Sequence, residues 1–407
     1  MANITAFRGI RPRTDLTARI AALPYDVYNR KEALEEVRKE PLSFLRIDRA
    51  ETQFPEGTDI YDPKVYQKAR ELLWQMKADG EFIQDETDSF YVYELTMNKR
   101  AQTGLVACAS VQDYLDNVIL KHENTREEKE QDRIRHVDTC DAQTGPIFLA
   151  YRHNDLISEK MNEAKKKAPL FDFVSPDGIG HRGWKIDEPE VIAQIEEAFS
   201  KIGQIYIADG HHRAASAVKV GLKRRTEKKQ ESDRFLSVLF AEDELRIMDY
   251  NRAVRDLNGW SAEQLIEKIG DVAEIEKADR APQKKGEVSM YLQGCWYQLC
   301  LKESLRSEDP VEDLDVSILQ KQILEPLLGI KDPRTDERIQ FIGGIRGREE
   351  LERITDAQGG VAFAMYPTSM KELFDVADAH RLMPPKSTWF EPKLRSGLFI
   401  HDISGES

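Results

Sequence analysis

The chain has 407 residues, 40% of them hydrophobic and 32% charged, which is enough length and apolar content for two or three domains with at least one sizeable core. Its net charge of −14 argues against a general nucleic-acid or anionic-membrane surface, since basic faces serve those partners, but it leaves room for a local basic pocket. The N-terminus shows no charged region followed by an apolar run, and no stretch approaches the length of a transmembrane helix.

Residues 1–28 read as irregular structure or short strands, ending in Leu23-Pro24-Tyr25-Asp26-Val27-Tyr28. Asn29 with Glu32 predicts a capping box and a helix running to Pro41. Asp62-Pro63 opens a second helix, in which Val65, Ala69, Leu72, Leu73 and Met76 recur at helical spacing and which Gly80 stops. Strands are expected over 90–96 and 104–115, joined by a polar loop. Val118-Ile119-Leu120 runs into Lys121-His122-Glu123-Asn124-Thr125, where Thr125 and Glu128 predict a capping box and a very polar helix. A buried strand is expected over 145–151, with helices over 156–167 and 188–202.

The most informative stretch comes next. The apolar run Ile205-Tyr206-Ile207-Ala208 ends at Asp209-Gly210, and His211, His212 and Arg213 follow on the first turn of an Ala-rich helix. Free backbone N–H groups at a helix N-terminus attract anions, and an arginine fork suits phosphate oxygens. Asp209 can cap the helix or, turned outward, hold a metal or steer a hydroxyl. The local pattern is that of a phosphate cradle. A plain turn and cap explains Asp-Gly by itself, but it explains an Asp, two His and an Arg within five positions less well.

Beyond this helix, 221–234 reads as a charged exposed loop and 235–241 with 244–250 as a strand pair. Ser261 with Gln264 caps a short helix, 287–293 and 295–302 form a hairpin around Gly294, and a helix covers roughly 316–328. Strands near 338–342 and 360–366, helices after Gly347 and near 370–379, and the loop Met383-Pro384-Pro385-Lys386-Ser387-Thr388 complete the series. Cys108, Cys140, Cys295 and Cys300 lack metal-ligand spacing and are expected to be reduced, which points to the cytoplasm. Gly343–Gly347 matches neither a P-loop nor a dinucleotide fingerprint. Hairpins mixed with crossovers predict an α+β fold with mixed sheets.

These motifs resemble a known group. Asp209-Gly210-His211-His212-Arg213 after a strand is similar to the nucleotide-binding signature of the ParB/sulfiredoxin-like fold, and closer still to that of the free serine kinases built on it. In those enzymes a His-Glu pair before a helix comes first, as His122-Glu123 does here, and a Pro-Lys-Thr-Thr-type loop comes last, as Pro385-Lys386-Ser387-Thr388 does here. The whole chain looks like a member of a large bacterial family of unknown function, cousin to those kinases, with Leu-Pro-Tyr-Asp, Lys-His-Glu-Asn-Thr, Ala-Asp-Gly-His-His-Arg and Met-Pro-Pro-Lys-Ser-Thr-Trp-Phe as signatures. Where the kinases continue with an Arg and a His that help hold serine, this chain has Trp389 and Phe390.

The resemblance implies three parts: an N-terminal α+β region over 1–117, a ParB/sulfiredoxin-like nucleotide-binding domain over 118–255, and a C-terminal α/β acceptor-binding domain over 256–407. It implies ATP or ADP as donor with Mg²⁺, and a free hydroxyl amino acid, L-serine above all, as acceptor. Gly210, His211, His212 and Arg213 would hold nucleotide phosphates. Glu123 would be the general base, and Asp209 would position the acceptor or Mg²⁺. His122, Lys386, Ser387 and Thr388 would line the acceptor pocket. The competing readings are a non-catalytic nucleotide or phosphate sensor and a ParB-like DNA-associated protein. The negative charge and the lack of a helix-turn-helix pattern count against the last.

Overall fold

The computed structural model describes residues 1–405 other than Arg126, Glu227 and Lys229. The chain divides into two units, Met1–Leu245 with Pro392–Ser407, and Arg246–Glu391. Residues 1–117 and 118–245 therefore share one unit. Both units combine sheets with helices, so the chain is α+β, with one mixed sheet among them.

Among the described residues, the main sheet of the first unit has nine strands. Its path runs Ile119–Leu120, Ile205–Asp209, Ile147–Tyr151, Arg234–Ala241, Arg100–Ser110, Phe90–Met97, Gly180–Ile186 and Phe171–Val174, with Ile4–Thr5 added beside Arg100–Ser110. Two pairings are parallel, Ile119–Leu120 with Ile205–Asp209 and Ile147–Tyr151 with Arg234–Ala241. One core lies on this sheet, where Val92, Leu105, Leu149, Ile207 and Leu239 meet Ile157, Phe199 and Val218 from the helices. A second core gathers the N-terminal helices: Val37, Phe44, Val65, Leu72, Leu73 and Met76 pack with Cys140 and Ile400.

Local signals predicted several elements well. Asn29 and Glu32 cap the Arg30–Lys39 helix reciprocally, and Asp62 with Pro63 opens Pro63–Ala78. Three expectations differ. The strand from Arg100 ends at Ser110, whose hydroxyl accepts from the Gln112 and Asp113 N–H groups and starts a short helix, Val111–Leu115. Its hairpin turn is only Asn98-Lys99, both at positive φ (49° and 66°), a turn whose twist matches that of the strands, so no polar loop intervenes. The helix that begins at His211 continues to Arg224, so the exposed loop starts later than 221. Thr125 donates its hydroxyl to Glu130 while Glu128 accepts from Tyr61, and the Arg126 step of the expected capping box lies outside the described residues.

In the second unit, the described residues form a six-stranded sheet that is antiparallel throughout, in the order Ala273–Lys277, Cys295–Leu301, Glu287–Leu292, Val361–Met365, Tyr250–Val254, Ile339–Gly343. The hairpin around Gly294 forms with Gln293 and Gly294 both at positive φ. The Gly347–Gln358 helix covers one face, burying Leu351 and Ile354 against Ala253, Tyr291, Trp296, Ile342 and Ala362. Residues 244–250 do not pair with 234–241 as expected. Ile247–Met248 pairs with Trp389–Phe390, because Tyr250–Val254 is taken up between Val361–Met365 and Ile339–Gly343.

Candidate functional site

The parallel pairing of two strands builds the site. Ile119 faces Ile205 and Leu120 faces Tyr206. Both strands run in one direction, so the segments that leave them emerge at the same sheet end. Glu123 and Asp209, 86 positions apart (209 − 123), carry the same offset as the paired residues (205 − 119). The Lys121–Thr125 segment and the Asp209–Arg213 turn therefore meet, and Glu123 Oε2 lies 4.0 Å from His211 Nδ1. The Glu123 side chain is 47% exposed, so its carboxylate is open to a ligand.

Gly210 makes the turn. Its φ of 90° is left-handed, and a Cβ there would sit 3.2 Å from the Arg213 guanidinium, so both conformation and space favour glycine. Among the described residues no side chain caps this helix end. Asp209 instead accepts from its neighbour, Gly210 N–H to Oδ1 at 2.7 Å, and pairs through Oδ2 with Lys393 Nζ at 3.0 Å. Burial opposes the Asp209 charge, but Lys393 and then Arg213 overcome it and hold the carboxyl well below the usual range. Arg213 donates from Nη1 to the Pro146 carbonyl at 2.6 Å, which ties part of its fork to the backbone. Arg213 also lines a cavity of about 30 Å³ together with Tyr25, Asp48, Arg133 and Thr144.

Two buried histidines stand edge to face, with His122 and His211 ring centroids 4.5 Å apart. The His122 backbone N–H donates to His211 Nε2 at 3.4 Å. The proton of a neutral His211 is then on Nδ1, the nitrogen facing Glu123. Burial, with repulsion from His122, keeps His211 far below the ordinary histidine range. Neither ring nitrogen of His122 makes a well-shaped hydrogen bond among the described residues, although the Asp209 carboxylate and the Ile207 carbonyl favour its protonation. Burial outweighs both and pushes His122 down to about 4. His212 is half-buried on the helix, and its carbonyl accepts from Ser216 at 2.7 Å.

His122, Glu123, Asp209, Gly210, His211, His212 and Arg213 thus gather in the first unit. Lys386, Ser387 and Thr388 belong to the second unit, on the loop after the Met370–Asp378 helix. There Lys386 is exposed with φ 60°, and the Ser387 hydroxyl donates to the Pro384 carbonyl at 2.7 Å. Sequence reasoning missed Lys393. It is 184 positions from Asp209, and a lysine after Glu391-Pro392 carries no local signal. Among the described residues, no group of three His, Cys, Asp or Glu side chains is arranged to hold a metal, and no helix is long and apolar enough to cross a membrane.

The sequence profile of DUF1015, a family of proteins of unknown function, matches residues 4–317. The chain belongs to that family. No curated protein matches it. Among solved structures it is similar to a free serine kinase variant in complex with AMP, at 15% identity and a TM-score of 0.37, covering 72% of this chain and 91% of that one. It is also similar to a conserved hypothetical protein from Pyrococcus furiosus, at 14% identity and TM-score 0.34, covering 72% and 95%. A third is SbnI with a C-terminal truncation from Staphylococcus aureus, at 13% identity and TM-score 0.37, covering 74% and 84%.

Proposed function

We propose that this DUF1015 protein is a small-molecule kinase that transfers a phosphoryl group from ATP or ADP to a free hydroxyl amino acid, with L-serine the first acceptor to test. The observation that carries the reading is the half-exposed Glu123 carboxylate beside the N-terminus of the His211–Arg224 helix, which no side chain caps among the described residues. A base for a hydroxyl and a seat for phosphates then adjoin, which is what phosphoryl transfer requires of a protein. The motif order and the Asp-Gly-His-His-Arg turn support the same reading, with the turn on a ParB/sulfiredoxin-like domain.

In this reading the backbone N–H groups of the first helical turn, with Gly210, His211, His212 and Arg213, hold phosphate oxygens. Glu123 takes the proton of the acceptor hydroxyl. The hydroxyl oxygen bonds to the terminal phosphorus, and the bond from that phosphorus to the leaving nucleotide breaks. His122, buried with its ring against that of His211, supports the acceptor site within the first unit. Both Asp209 oxygens are engaged, by Gly210 and Lys393, so Mg²⁺ fits as an ion carried in on the nucleotide phosphates, with Asp209 as its one protein carboxylate should Lys393 give way.

The test is to incubate the protein with Mg²⁺, L-serine and either ATP or ADP. Phosphoserine is expected. If neither nucleotide phosphorylates any hydroxyl amino acid although both bind, the kinase reading fails. A nucleotide sensor without turnover then takes its place, and the pairing of Asp209 with Lys393 is the feature that favours it.

A further inference from the structure

Arg252 lies in the middle of a strand of the second unit, Tyr250–Val254, and is only 3% exposed. It donates from Nη1 to the Tyr250 carbonyl and from Nη2 to the Lys386 carbonyl, the latter at 3.0 Å, and its guanidinium stands 5.4 Å from the centre of the Phe341 ring. These contacts satisfy hydrogen bonds without neutralising the charge. No carboxylate among the described residues makes an ion pair with it, and burial lowers its affinity for the proton to about 10. A buried charge without a counter-charge costs several kcal/mol, so such a group is expected to face a partner.

Arg252 lines a cavity of about 420 Å³, within the range of small-molecule sites. Lys331 also lines it, exposed and without a carboxylate partner among the described residues. Arg334 and Asp332 line it too, but they neutralise each other through two hydrogen bonds of 2.9 Å. Two of the lining cations, Arg252 and Lys331, have no paired carboxylate among the described residues. Phe341, Pro384 and Pro385 supply apolar walls. An arginine and an ammonium lining one cavity suit an oxyanion, and the apolar walls suit a short carbon body.

We infer that the second unit carries a binding pocket of its own for a small organic anion, whose carboxylate or phosphate group is held by Arg252 and Lys331. The inference does not depend on the kinase reading, whose proposed base Glu123 and phosphate seat at the His211–Arg224 helix lie in the other unit. Because Arg252 also holds the Lys386 carbonyl, it acts as a positioning residue for the 384–388 loop as well.

The probes are inorganic phosphate and succinate, each titrated calorimetrically into the full-length protein at constant ionic strength. Saturable binding of at least one is expected. Tighter phosphate binding assigns a phosphate ester as ligand, and tighter succinate binding assigns a carboxylic acid. Arg252→Gln and Lys331→Gln should each weaken the bound probe about tenfold or more, as loss of a charge-assisted contact does. Lys331 is exposed, so its variant should keep the parent melting temperature, and it decides the matter should Arg252→Gln disturb the loop. Absence of saturable binding by both probes overturns the inference. So does a phosphate affinity that Arg213→Ala removes and Lys331→Gln leaves intact, since that binding belongs to the helix N-terminus of the first unit.

Discussion

Glu123 and its histidine neighbour make the first prediction at the scale of single residues. The carboxylate stands 4.0 Å from His211 Nδ1, and in the proposed reading it takes the proton of the acceptor hydroxyl. Glu123→Gln keeps size and polarity but removes basicity. Turnover to phospho-amino acid should fall on the order of 10²–10⁴-fold, with nucleotide affinity nearly intact in calorimetry. A variant that transfers at the parent rate removes Glu123 from the role. The second prediction concerns acid. Burial holds His122 near about 4, and His181, buried beside Arg395, near about 3, against an ordinary 6.5. The unfolded chain therefore binds more protons than the folded one below pH 6.5. Stability from these histidines is fully present above that pH and is lost as pH falls toward 4 and then 3. For His122 alone the loss is about 3 kcal/mol. Urea unfolding across this range should show the decline, and His122→Asn should flatten its upper part. Equal slopes in parent and variant would refute the assignment.

At the scale of elements, the His211–Arg224 helix joins site and scaffold. Its N-terminus carries the Asp-Gly-His-His-Arg residues, while Ala214, Ala217 and Val218 pack into the sheet core. Ser216 links it to the Glu127–Cys140 helix, its one hydroxyl proton shared between the His212 carbonyl and the Glu130 carbonyl, 3.0 Å away. Near its other end, Gly221 allows the chain to pass close by. A Cβ there would come within 2.4 Å of the Ser232 carbonyl oxygen and 3.0 Å of Val111. The first of these is backbone and cannot rotate away. Gly221→Ala should thus destabilise the protein by roughly 1–3 kcal/mol, the usual cost of overpacking. Chemical denaturation measures this, and unchanged stability would mean that the 231–233 turn yields freely.

At the scale of the whole molecule, the second unit is one uninterrupted segment, Arg246–Glu391, set into a chain whose two ends belong to the first unit. It owns a six-stranded antiparallel sheet and a buried cluster that includes Trp296, Leu351 and Ile354. Local hairpins and an internal core are what an independent folding unit needs. Residues 246–391 expressed alone should give dispersed amide resonances and one cooperative urea transition. A broad, non-cooperative transition would show that this segment relies on the rest of the chain for its fold.

The amino-acid sequence alone determined the features that depend on neighbours in the chain. Asn29 with Glu32 and Ser261 with Gln264 form their capping boxes because the partners lie three positions apart. Gly294 closes its hairpin because that turn needs positive φ. The Asp209–Arg213 turn was legible because strand end, glycine and helix start are contiguous. Ser110 shows the limit: an apolar run hid a cap, and the strand stopped where its hydroxyl met the next N–H groups. Only the tertiary structure decided what distant residues do to one another. The parallel register of Ile119–Leu120 with Ile205–Asp209 sets Glu123 beside His211, Lys393 finds Asp209 from 184 positions away, and Arg252 is buried with no carboxylate paired to it among the described residues. Strand register and burial are properties of packing between segments, and the charge state of a side chain follows from its surroundings in space rather than its place in the chain.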